Sequence, residues 1–514
     1  IAILYDNQIY SNPVVREAIT GGQCQIDGMT DYNEAENLAA TIRIGSLSLE
    51  LQELRSNVVG AQLGQQAIST SLKAGAIGFA IVAVFMMVAY LIPGVASVIA
   101  LALYVGLVLI MLTAFDVTLT LPGVAGIILS VGMAVDANVI IFTRIKEEIG
   151  LGRSVKSAIK AGFSKALSAI LDGNITTLIA AAVLYFRGSG TVKGFASTLA
   201  IGIVLSMFTA LFITKGALYA LYAVGFEDPK FYGTKKDGKI INFLGKKNLC
   251  FILSIVVIVA GWAGMALHKG QTGYILNYGM DFTGGTSTNV TFNEDMSLDD
   301  ISAKVVPVVS KITGDADVQT QKVAGTNEVI IKTKTLDVEQ RQQLEDAMVE
   351  NFGVDAEKIT AESISGAVST EMKKDAVWAV TIATVLMLLY IWFRFKDIRF
   401  AASAILALVH DVLVVVTFYS LAKWSVGSTF IACMLTIVGY SINATIVIFD
   451  RIRENLALKK AGSKQTLEEI VNLSITQTFT RSINTSLTTF IMVFVLFLLG
   501  VSSIREFALP LMVG

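Results

Sequence analysis

The sequence is poor in charged residues. Asp, Glu, Lys and Arg make up 16% of its 514 residues, against about 25% in ordinary soluble domains. The shortage is concentrated in long stretches, and between Ala74 and Phe115 there is neither a charged residue nor a histidine. A chain of this kind is not a soluble enzyme, and we predict a membrane protein without enzymatic activity.

Cysteine is also scarce. Cys24, Cys250 and Cys433 lie far apart, and two of them fall inside apolar stretches, so their spacing predicts neither a disulfide framework nor a metal site. The net charge is −1, which leaves no global basic field for a nucleic-acid partner. We therefore predict no nucleic acid, no metal and no bound cofactor.

The start of the chain lacks a signal peptide. The first residues, IAILYDNQIY, contain neither a methionine nor the basic segment of such a peptide. The last apolar stretch stops at Gly514. We expect the sequence to be an internal fragment of a longer chain.

Long apolar stretches take the place of charge. A helix needs about 20 apolar residues to cross a bilayer, so residues 74–115, interrupted by Pro93 and Gly94, predict two spans joined by a tight turn. Eight further stretches are long enough, and an eleventh span begins at Phe507. The eight are residues 117–143, 173–186 (extended upstream to about Ser168), 194–226, 248–267, 376–393, 400–421, 424–449 and 482–504. The predicted fold class is an α-helical polytopic membrane protein.

Lysine and arginine are unevenly divided between the loops. They are frequent after the third span, in residues 227–247, around Arg394 and after residue 450, and rare in the intervening loops. Counting the spans puts all the basic loops on one side. That side is cytoplasmic, because short cytoplasmic loops carry an excess of these residues. Residues 1–70 and 268–373 then both lie outside, in the periplasm or its equivalent.

Residues 268–373 have the pattern of a compact α+β domain. Alternating and helical apolar periodicities predict the order β-α-β-β-α-β, which is the ferredoxin-like arrangement. The predicted strands are residues 287–292, 317–323, 328–335 and 358–364, with a hairpin around Gly325, and the predicted helices are residues 298–312 and 337–352.

Gly284 and Gly285 precede the first of these strands. They are not followed by the Lys-Ser or Lys-Thr pair of a phosphate-binding loop. We therefore expect a tight turn where the chain leaves the membrane, in preference to a nucleotide site. Residues 1–70 are predicted to be the C-terminal part of another outer domain, with short strands around an Asp6-Asn7 turn and a helix over 32–44.

Two parts of the chain repeat each other. VGMAVDANVIIFTRIKEEI, from Val131, aligns with VGYSINATIVIFDRIRENL, from Val438. NITTLIAAAVL, from Asn174, aligns with SLTTFIMVFVL, from Ser486, and the order of outer domain and spans is the same in both halves. Parallel repeats of this kind predict two pseudo-repeated helix bundles, and transporter sites lie between such repeats near the midplane.

A few ionisable residues fall inside the apolar stretches. Asp136 lies in the repeated span, and His410 and Asp411 lie near the middle of residues 400–421. An ionisable side chain near the bilayer centre costs about 2.5–3.5 kcal/mol, which makes it a functional candidate. Asp136 has no evident structural role, so we predict that it is functional.

Three further charges have structural alternatives. Asp172 and Arg481 lie at the cytoplasmic starts of equivalent spans, and Asp450 ends its span. Asp172 could cap its helix, since an acid is favoured near a helix N-terminus. Asp450 could pair with neighbouring arginines at the membrane interface. Arg481 could extend to the lipid headgroups, or point inward and keep a carboxylate ionised.

The same segments carry a family resemblance. TLTLPGVAGIILSVGMAVDANVIIF, residues 118–142, resembles the fourth span of SecD. GMDFTGGTS from Gly279, LVHDVL from Leu408, VGYSINATIVIFDRIREN from Val438 and TRSINTSLTT from Thr480 resemble SecF. The match covers nearly the whole chain, which is similar to the fused SecD–SecF (SecDF) family of the resistance-nodulation-division superfamily.

The resemblance implies an order of domains. Residues 1–70 would end the first periplasmic domain, 71–226 form the SecD-like bundle, 227–247 a cytoplasmic linker, 248–267 the first SecF-like helix, 268–373 the second periplasmic domain and 374–514 the SecF-like bundle with a truncated last helix.

The resemblance also implies a function. It is that of an accessory subunit of the Sec translocase in the bacterial cytoplasmic (inner) membrane, where the proton-motive force promotes export of unfolded preproteins. The implied partners are the SecYEG channel, SecA, YajC and membrane lipids. Protons would pass along a relay in which protonation breaks a pair between Asp136 and Arg481, and the outer domains move in response. The expected relay residues are Asp136, Arg481, Asp411, His410 and Asp172.

The chain departs from the family pattern at one position. The SecF motif usually reads Asn-Asp-Thr, whereas this chain has Ala444 after Asn443, so the second carboxylate of the relay is absent. Either Asp136 carries the proton with help from Asp411, or Na⁺ or another ion is used, or coupling is weak. The positions taken as matching SecF motifs are Asn443, Asp450, Gly284 and Gly285.

Two other functions are compatible with the buried charges and the repeat. A resistance-nodulation-division exporter of lipids or small hydrophobic molecules would share both features, and a passive scaffold or assembly factor would not depend on Asp136. The long SecD and SecF motifs and the small outer domain favour protein export.

Overall fold

The computed structural model describes residues 3–5, 8–16, 19, 21, 24–45, 53–59, 61–188, 190–233, 239–315, 318–323, 326–459 and 465–514. The predicted turns at Asp6-Asn7 and at Gly325 lie outside the described residues. The chain forms two separate compact units, Ile1–Leu54 and Arg55–Gly514.

The described residues of the first unit form one hairpin and one helix. β1 (Ile3–Tyr5) pairs antiparallel with β2 (Gln8–Ser11), and α1 spans Tyr32–Gly45. The short strands and the helix predicted for this part of the chain are confirmed.

The second unit begins with one strand and the helices of the first bundle. Their bounds are β3 (Arg55–Val59), α2 (Ala61–Tyr90), α3 (Ile92–Ala114), α4 (Leu121–Gly150), α5 (Val155–Arg187), α6 (Thr191–Phe208) and α7 (Thr214–Val224). A π-helical turn over Thr209–Ile213 joins α6 and α7 into one span. At the predicted break between the first two spans, Leu91 has a φ of 55° and Pro93 lies in the first turn of α3. Proline is tolerated there because the N–H groups of the first turn make no hydrogen bond within the helix.

α8 (Lys247–Thr272) leads into the outer domain. The elements of this domain are α9 (Met280–Thr283), β4 (Gly285–Thr291), α10 (Leu298–Asp300), α11 (Val306–Thr313), β5 (Gln319–Lys322), β6 (Glu328–Thr333), α12 (Val338–Phe352) and β7 (Ile359–Ile364), with a π-helical turn (Ile301–Val305) between α10 and α11. All strand pairs are antiparallel, and the sheet order is β3-β7-β4-β6-β5. The predicted β-α-β-β-α-β arrangement is confirmed.

The core of the outer domain lies between this sheet and its helices. α12 begins at a capping box, in which Asp337 accepts from the backbone N–H of Gln340 at 2.8 Å. The buried core includes Val290, Val305, Ile331, Leu344, Met348 and Ile359.

The edge strand β3 corrects a predicted boundary. Residues 1–70 were expected to belong to a different outer domain, but Arg55–Val59 pairs with β7 of this one. The guanidinium of Arg55 also lies 2.8 Å from the carboxylate of Glu362. Without β3, the N–H and C=O groups along the edge of β7 would lack ladder partners. The strand is too short for its alternation to be recognised in the sequence.

The second bundle completes the fold. Its helices are α13 (Gly366–Phe395), α14 (Ile398–Ala422), α15 (Ser428–Leu458), α16 (Leu467–Leu499) and α17 (Ser502–Val513). Among the described residues, ten helices are long and apolar enough to cross a membrane, as predicted, and α17 contains the start of the eleventh apolar stretch. α16 begins at Leu467, well before the apolar stretch at 482, because a capping box at Thr466 and Glu469 starts it in polar sequence.

The two halves interlock through equivalent residues. In the repeat alignment, Gly132 of α4 corresponds to Gly439 of α15, and Thr489 of α16 corresponds to Thr177 of α5. A Cβ added at Gly132 would lie 3.2 Å from Cα of Thr489, and one at Gly439 would lie 3.1 Å from Cα of Thr177. Hence α4 packs on α16 as α15 packs on α5, and a pseudo-two-fold axis relates the halves. The most apolar stretch of α4 is 94% buried, against 6% for the span Leu244–Thr272, so α4 lies at the centre.

Candidate functional site

Asp136 and Arg481 meet between the two halves. Asp136 is on α4 and Arg481 on α16, and Oδ1 of Asp136 lies 3.6 Å from Nη2 of Arg481. Each residue is only 6% exposed, so Arg481 points inward and does not extend to the lipid headgroups. The predicted contact between these two side chains is confirmed.

This pair is held by charge more than by hydrogen bonds. Within the described residues, Oδ1 of Asp136 and Nε of Arg481 have no hydrogen-bond partner. Leaving a buried polar atom without a partner costs about 1–3 kcal/mol, and such atoms in native proteins call for a functional or hydration explanation. Loss of one charge would therefore remove the main interaction between the two side chains.

Asn443 is the second partner of Asp136. Its Nδ2 donates to Oδ2 of Asp136 at 2.6 Å, and in the repeat alignment Asn443 occupies the position of Asp136 in the second half. A Cβ at Gly173 of α5 would lie 2.1 Å from Oδ1 of Asn443. Helices α4, α5 and α15 thus fix the amide against the carboxylate, and only glycine at position 173 leaves room for it.

Four charges form a ring near the cytoplasmic ends of α4 and α15. We call Arg144, Glu147, Arg451 and Glu454 the cytoplasmic ring. Arg144 lies 2.9 Å from Glu454, and Arg451 lies 2.6 Å from Glu147. These two ion pairs are equivalent, because the alignment relates Arg144 to Arg451 and Glu147 to Glu454. The repeated Arg-x-x-Glu spacing was visible in the sequence, but the pairing between halves was not predicted.

Asp172 belongs to a second charged cluster. We call Asp172, Arg394 and Asp450 the cytoplasmic triad. Nε of Arg394 lies 2.6 Å from Oδ2 of Asp172, and Nη2 of Arg394 lies 3.4 Å from both carboxylate oxygens of Asp450. The hydroxyls of Tyr390 and Ser168 also donate to Asp172, at 2.8 and 3.3 Å.

The triad corrects two expectations. Asp172 is not a helix cap, because α5 starts at Val155 and Asp172 lies in its interior. Arg394 was counted with the loop charges, but it lies in the last turn of α13 and its side chain contacts Asp172 and Asp450. The expected pairing of Asp450 with arginines is confirmed, since Arg453 lies 3.9 Å away in addition to Arg394.

His410 and Asp411 form a polar cluster apart from Asp136. Nδ1 of His410 lies 3.1 Å from Oδ1 of Asp411, and Nε2 of His410 lies 3.0 Å from Oγ of Ser254 on α8. Ser441 of α15 donates to Asp411 at 2.5 Å. Ser441 and Asn443 point about 200° apart around α15, so Asp411 and Asp136 contact opposite faces of that helix. The described contacts do not join Asp411 to Asp136. The expectation that Asp411 helps Asp136 carry the proton would require such a connection.

A cavity of about 270 Å³ lies between Arg481 of the buried pair and the cytoplasmic ring. Arg481 lines it together with Arg394 and Asp450 of the triad and Arg144 and Glu454 of the ring. One water occupies about 30 Å³ in the liquid, so the cavity has room for several waters among these charged groups. It gives Arg481 a polar connection toward the predicted cytoplasmic side.

Gly284 and Gly285 form the turn at the base of the outer domain. Their φ angles are 75° and 117°, a region that favours glycine. A Cβ at Gly285 would lie 2.5 Å from the carbonyl oxygen of Thr333. The prediction of a tight turn at these two glycines is confirmed.

Asp281, three residues before this turn, fixes the start of α15. Oδ2 of Asp281 accepts from the backbone N–H of Ser428 at 2.7 Å. The N–H of Gly279 also donates to the carbonyl of Val426 at 2.8 Å. A carboxylate at this position faces the positive end of the helix dipole. The segment that enters the outer domain is thus joined to the helix that carries Asn443, a role that the sequence did not indicate.

Two interlocked bundles with opposite charges buried between them, and an α+β domain inserted between α8 and α13, define a polytopic membrane protein of two repeated halves. Transport and export machines are built in this way. The family model for the protein export membrane protein SecD/SecF, C-terminal, matches residues 43–224 and 344–514, and that for the SecDF P1 head subdomain matches residues 1–49. The chain belongs to the SecD/SecF family of protein export membrane proteins.

Named relatives match along the whole chain. The protein translocase subunit SecDF of Bacillus subtilis (strain 168) is 36% identical over 531 residues, which cover 98% of this chain and 69% of that protein. SecDF of Thermus thermophilus is 37% identical over 528 residues, covering 100% of this chain and 68% of that protein. The chain therefore spans about two thirds of the length of these relatives.

A solved structure supports the same assignment. The crystal structure of SecDF from Thermus thermophilus, described as a translocon-associated membrane protein, matches with a TM-score of 0.81 at 35% identity. The match covers 100% of this chain and 69% of that chain. The chain is thus a multi-pass inner-membrane protein that functions in protein export, and an exporter of lipids or small molecules is less well supported.

Proposed function

We propose that the chain promotes export of unfolded preproteins by using protons that cross the membrane, with Asp136 as the proton-binding group. The observation that carries this proposal is the buried pair of Asp136 and Arg481, 3.6 Å apart on different halves. Charges interact far more strongly in a low-dielectric interior than in water. Neutralising Asp136 would therefore change which packing of the two halves is preferred.

The surroundings of Asp136 favour a proton over Na⁺ as the coupling ion. Among the described residues, its closest contacts are the amide nitrogen of Asn443 and the guanidinium of Arg481, which are hydrogen-bond donors and do not coordinate a cation. A metal cation at this point would also be repelled by the arginine. A proton needs only one free lone pair on the carboxylate. Oδ1 of Asp136 offers one, because it accepts no hydrogen bond in the described part of the chain.

The cavity below the pair supports release of the proton toward the cytoplasm. Arg481, the partner of Asp136, lines it together with Glu454, so we propose that the proton leaves Asp136 beside Arg481 and crosses this cavity to the cytoplasmic ring. The membrane potential supplies about 2.3 kcal/mol per charge for each 100 mV. That energy is comparable to the cost of breaking and reforming one buried contact.

Movement at the axis has a direct connection to the outer domain. Asp281 holds the N-terminus of α15, which carries Asn443. β7 ends at Ile364, and α13 begins at Gly366, with Ser365 as its N-cap. A shift of α13 or α15 would therefore move the base of the sheet, and we propose that the outer domain uses this movement to hold or pull the preprotein.

One carboxylate at the axis is enough for this mechanism. Asn443 and Ala444 supply no second carboxylate at the level of Asp136, so we propose that one proton is bound there in each cycle. Asp411 contacts the other face of α15 through Ser441, and we propose that it acts apart from Asp136.

The proposed partners are a protein-conducting channel and the preprotein within it. The SecDF relatives of Bacillus subtilis and Thermus thermophilus are named protein translocase subunits, which supports a channel partner. We propose that this chain acts with the SecYEG channel, SecA and YajC, in contact with membrane lipids, and that it catalyses no chemical reaction of its own.

Proton uptake by the reconstituted protein tests the proposal. In proteoliposomes with an internal pH dye, acidifying the outside should drive proton entry through the wild type and not through Asp136→Asn. Asp397→Asn is a matched control, because Asp397 caps α14 at the cytoplasmic side and asparagine caps helices equally well. Equal uptake by the wild type and Asp136→Asn would refute the proposed role of Asp136.

A further inference from the structure

The cytoplasmic triad places two carboxylates on one guanidinium. Arg394 lies 2.6 Å from Asp172 but 3.4 Å from the nearer oxygen of Asp450. Tyr390 and Ser168 give Asp172 two further hydrogen bonds. Asp172 is therefore the firmly held counter-ion of Arg394, and Asp450 is held more loosely.

Two of the three other cations near the triad are engaged elsewhere, and the third is largely exposed. Arg144 of α4 pairs with Glu147 and Glu454. Lys165 of α5 pairs with Glu148 at 2.6 Å. Arg453 of α15 lies 3.9 Å from Asp450, and its side chain is 43% exposed, so it contributes little.

The triad therefore carries one more carboxylate than arginines. The groups that face its carboxylates are Tyr390 and Arg394 from α13 and the largely exposed Arg453 from α15. With both acids ionised, one negative charge on the triad lacks a close buried cation. One proton bound to a carboxylate oxygen would neutralise it. The arrangement thus has the charge of a site that accepts a single proton.

The triad also lies on the path from the buried pair. Arg394, Asp450 and Ser168 line the same cavity as Arg481. Waters in that cavity would connect Arg481 to Asp450 without crossing an apolar barrier, because a polar cavity of this size is hydrated. A proton that enters this cavity beside Arg481 therefore has the carboxylate of Asp450 within reach of the same waters.

Only one half of the repeat carries these charges among the described residues. The alignment relates Asp172 of α5 to Asn484 of α16. Asn484 makes the equivalent contact in the other half, donating to the hydroxyl of Tyr90 at 2.7 Å, just as Asp172 accepts from Tyr390. An amide and a tyrosine therefore suffice to join the helices, and the charges of the triad serve something beyond packing.

We propose that Asp172, Arg394 and Asp450 form a second proton-binding station, which takes up the proton that Asp136 releases and passes it to the cytoplasm. The station rests on the proposed function and deepens it. Asp450 is the group that binds the proton, and Asp172 and Arg394 are positioning residues. The station supplies a carboxylate on the cytoplasmic side of the axis, where Ala444 provides none.

The proposed proton transfer has three steps. The proton leaves the carboxyl group of Asp136, which becomes an anion and pairs again with Arg481. Waters in the cavity carry the proton to a carboxylate oxygen of Asp450, whose contact with Nη2 of Arg394 weakens. The proton then leaves Asp450 for cytoplasmic water, and the ion pair between Asp450 and Arg394 reforms.

The test measures proton flux through proteoliposomes while the pH on the cytoplasmic side is varied. For the wild type, acidifying that side should inhibit release. Asp450→Asn should slow the flux and lose this dependence on cytoplasmic pH. Asn484→Ala, at the equivalent uncharged position, should keep the wild-type pH profile. An Asp450→Asn variant with the wild-type flux and pH profile would overturn the proposal.

Two further variants separate this proposal from loss of folding and from the proposed function. Removing Asp172 alone leaves a buried charge unpaired, so the double variant Asp172→Asn, Arg394→Gln is used, and it should share the altered pH profile of Asp450→Asn. An unaltered profile in that double variant also overturns the station. Flux that persists in Asp136→Asn refutes the role of Asp136 itself, whereas flux lost in Asp136→Asn but normal in Asp450→Asn refutes the station alone.

Discussion

Asn443 hydrogen-bonds to Asp136 across the pseudo-two-fold axis, at 2.6 Å, although the two residues occupy the same position in the two halves of the repeat. Two carboxylates at this distance would repel each other if both were ionised, so they would share a proton. An amide opposite the carboxylate removes that repulsion and donates a hydrogen bond. The axis therefore holds one acid, Asp136, whose charge is balanced by Arg481.

Asp136 and Arg481 should show energetic coupling. We expect Asp136→Asn and Arg481→Ala to lower proton uptake and export, and the double variant to be no worse than the more harmful single one. Residues in direct contact show interaction energies of about 0.5–3 kcal/mol in a double-mutant cycle. Losses that add fully in thermal unfolding and in uptake would count against a direct pair.

Gly173 should be intolerant of a side chain. A Cβ would lie 2.1 Å from Oδ1 of Asn443, so Gly173→Ala should displace the amide from Asp136 and cost about 1–3 kcal/mol, as overpacking does. Gly106→Ala is the control, since no atom lies within 4 Å of a Cβ there.

A second substitution sharpens this test. In an Asn443→Ala background the space next to position 173 is empty, so Gly173→Ala should lose its additional cost in thermal unfolding. An equal cost in both backgrounds would mean that Asn443 is not what Gly173 accommodates.

The cytoplasmic ring should behave as two equivalent ion pairs. Each arginine of the ring also contacts the glutamate on its own helix, Arg144 with Glu147 at 3.0 Å and Arg451 with Glu454 at 2.9 Å. Removing one partner therefore leaves the ring with an unbalanced charge, at a cost below the roughly 3–5 kcal/mol of a fully buried pair, whereas removing one acid and one base together keeps the balance. We expect Glu147→Gln and Arg451→Gln each to lower the unfolding temperature more than the double variant does. The second pair, Glu454 and Arg144, should give the same pattern, because the alignment makes it equivalent. A pattern in one pair alone would contradict the pseudo-symmetry.

Much of the fold was accessible from the sequence because apolar runs and alternation are local signals. The spans, the break at Pro93 and the outer-domain elements were predicted, although α2, α5 and α16 each begin more than ten residues before the predicted apolar stretch. The repeat predicted a site between the two halves, and the family resemblance pointed to Asp136 and Arg481 as the residues that meet there.

The rest depended on which side chains meet in three dimensions. A basic residue such as Arg394 at the end of a span reads as a loop charge, and only the packing of α13 on α5 turns it toward Asp172. Asp172 read as a cap because the apolar stretch begins late in α5. β3 joins a sheet formed mainly by residues more than two hundred positions later, and no local pattern encodes that pairing.

Asp281 should link the outer domain to α15. Replacing a residue that caps a helix N-terminus by alanine costs about 0.5–2 kcal/mol, so Asp281→Ala should destabilise the start of α15 and reduce the stimulation of export by the proton-motive force. Asp281→Asn, which keeps an acceptor oxygen, should retain more of it. Asp299→Ala, an exposed acid on α10, should have no effect, and equal behaviour of Asp281→Ala and Asp299→Ala would argue against the link.

The role of Asp136 in export is tested most directly by preprotein export into energised inverted membrane vesicles that contain the Sec channel. The quantity to measure is the stimulation that the protein adds when the proton-motive force is present. We predict that the wild type stimulates export, and that Asp136→Asn, although assembled in equal amount, adds no stimulation and is indifferent to a protonophore. Full stimulation by Asp136→Asn would contradict the account and would point to a passive scaffold.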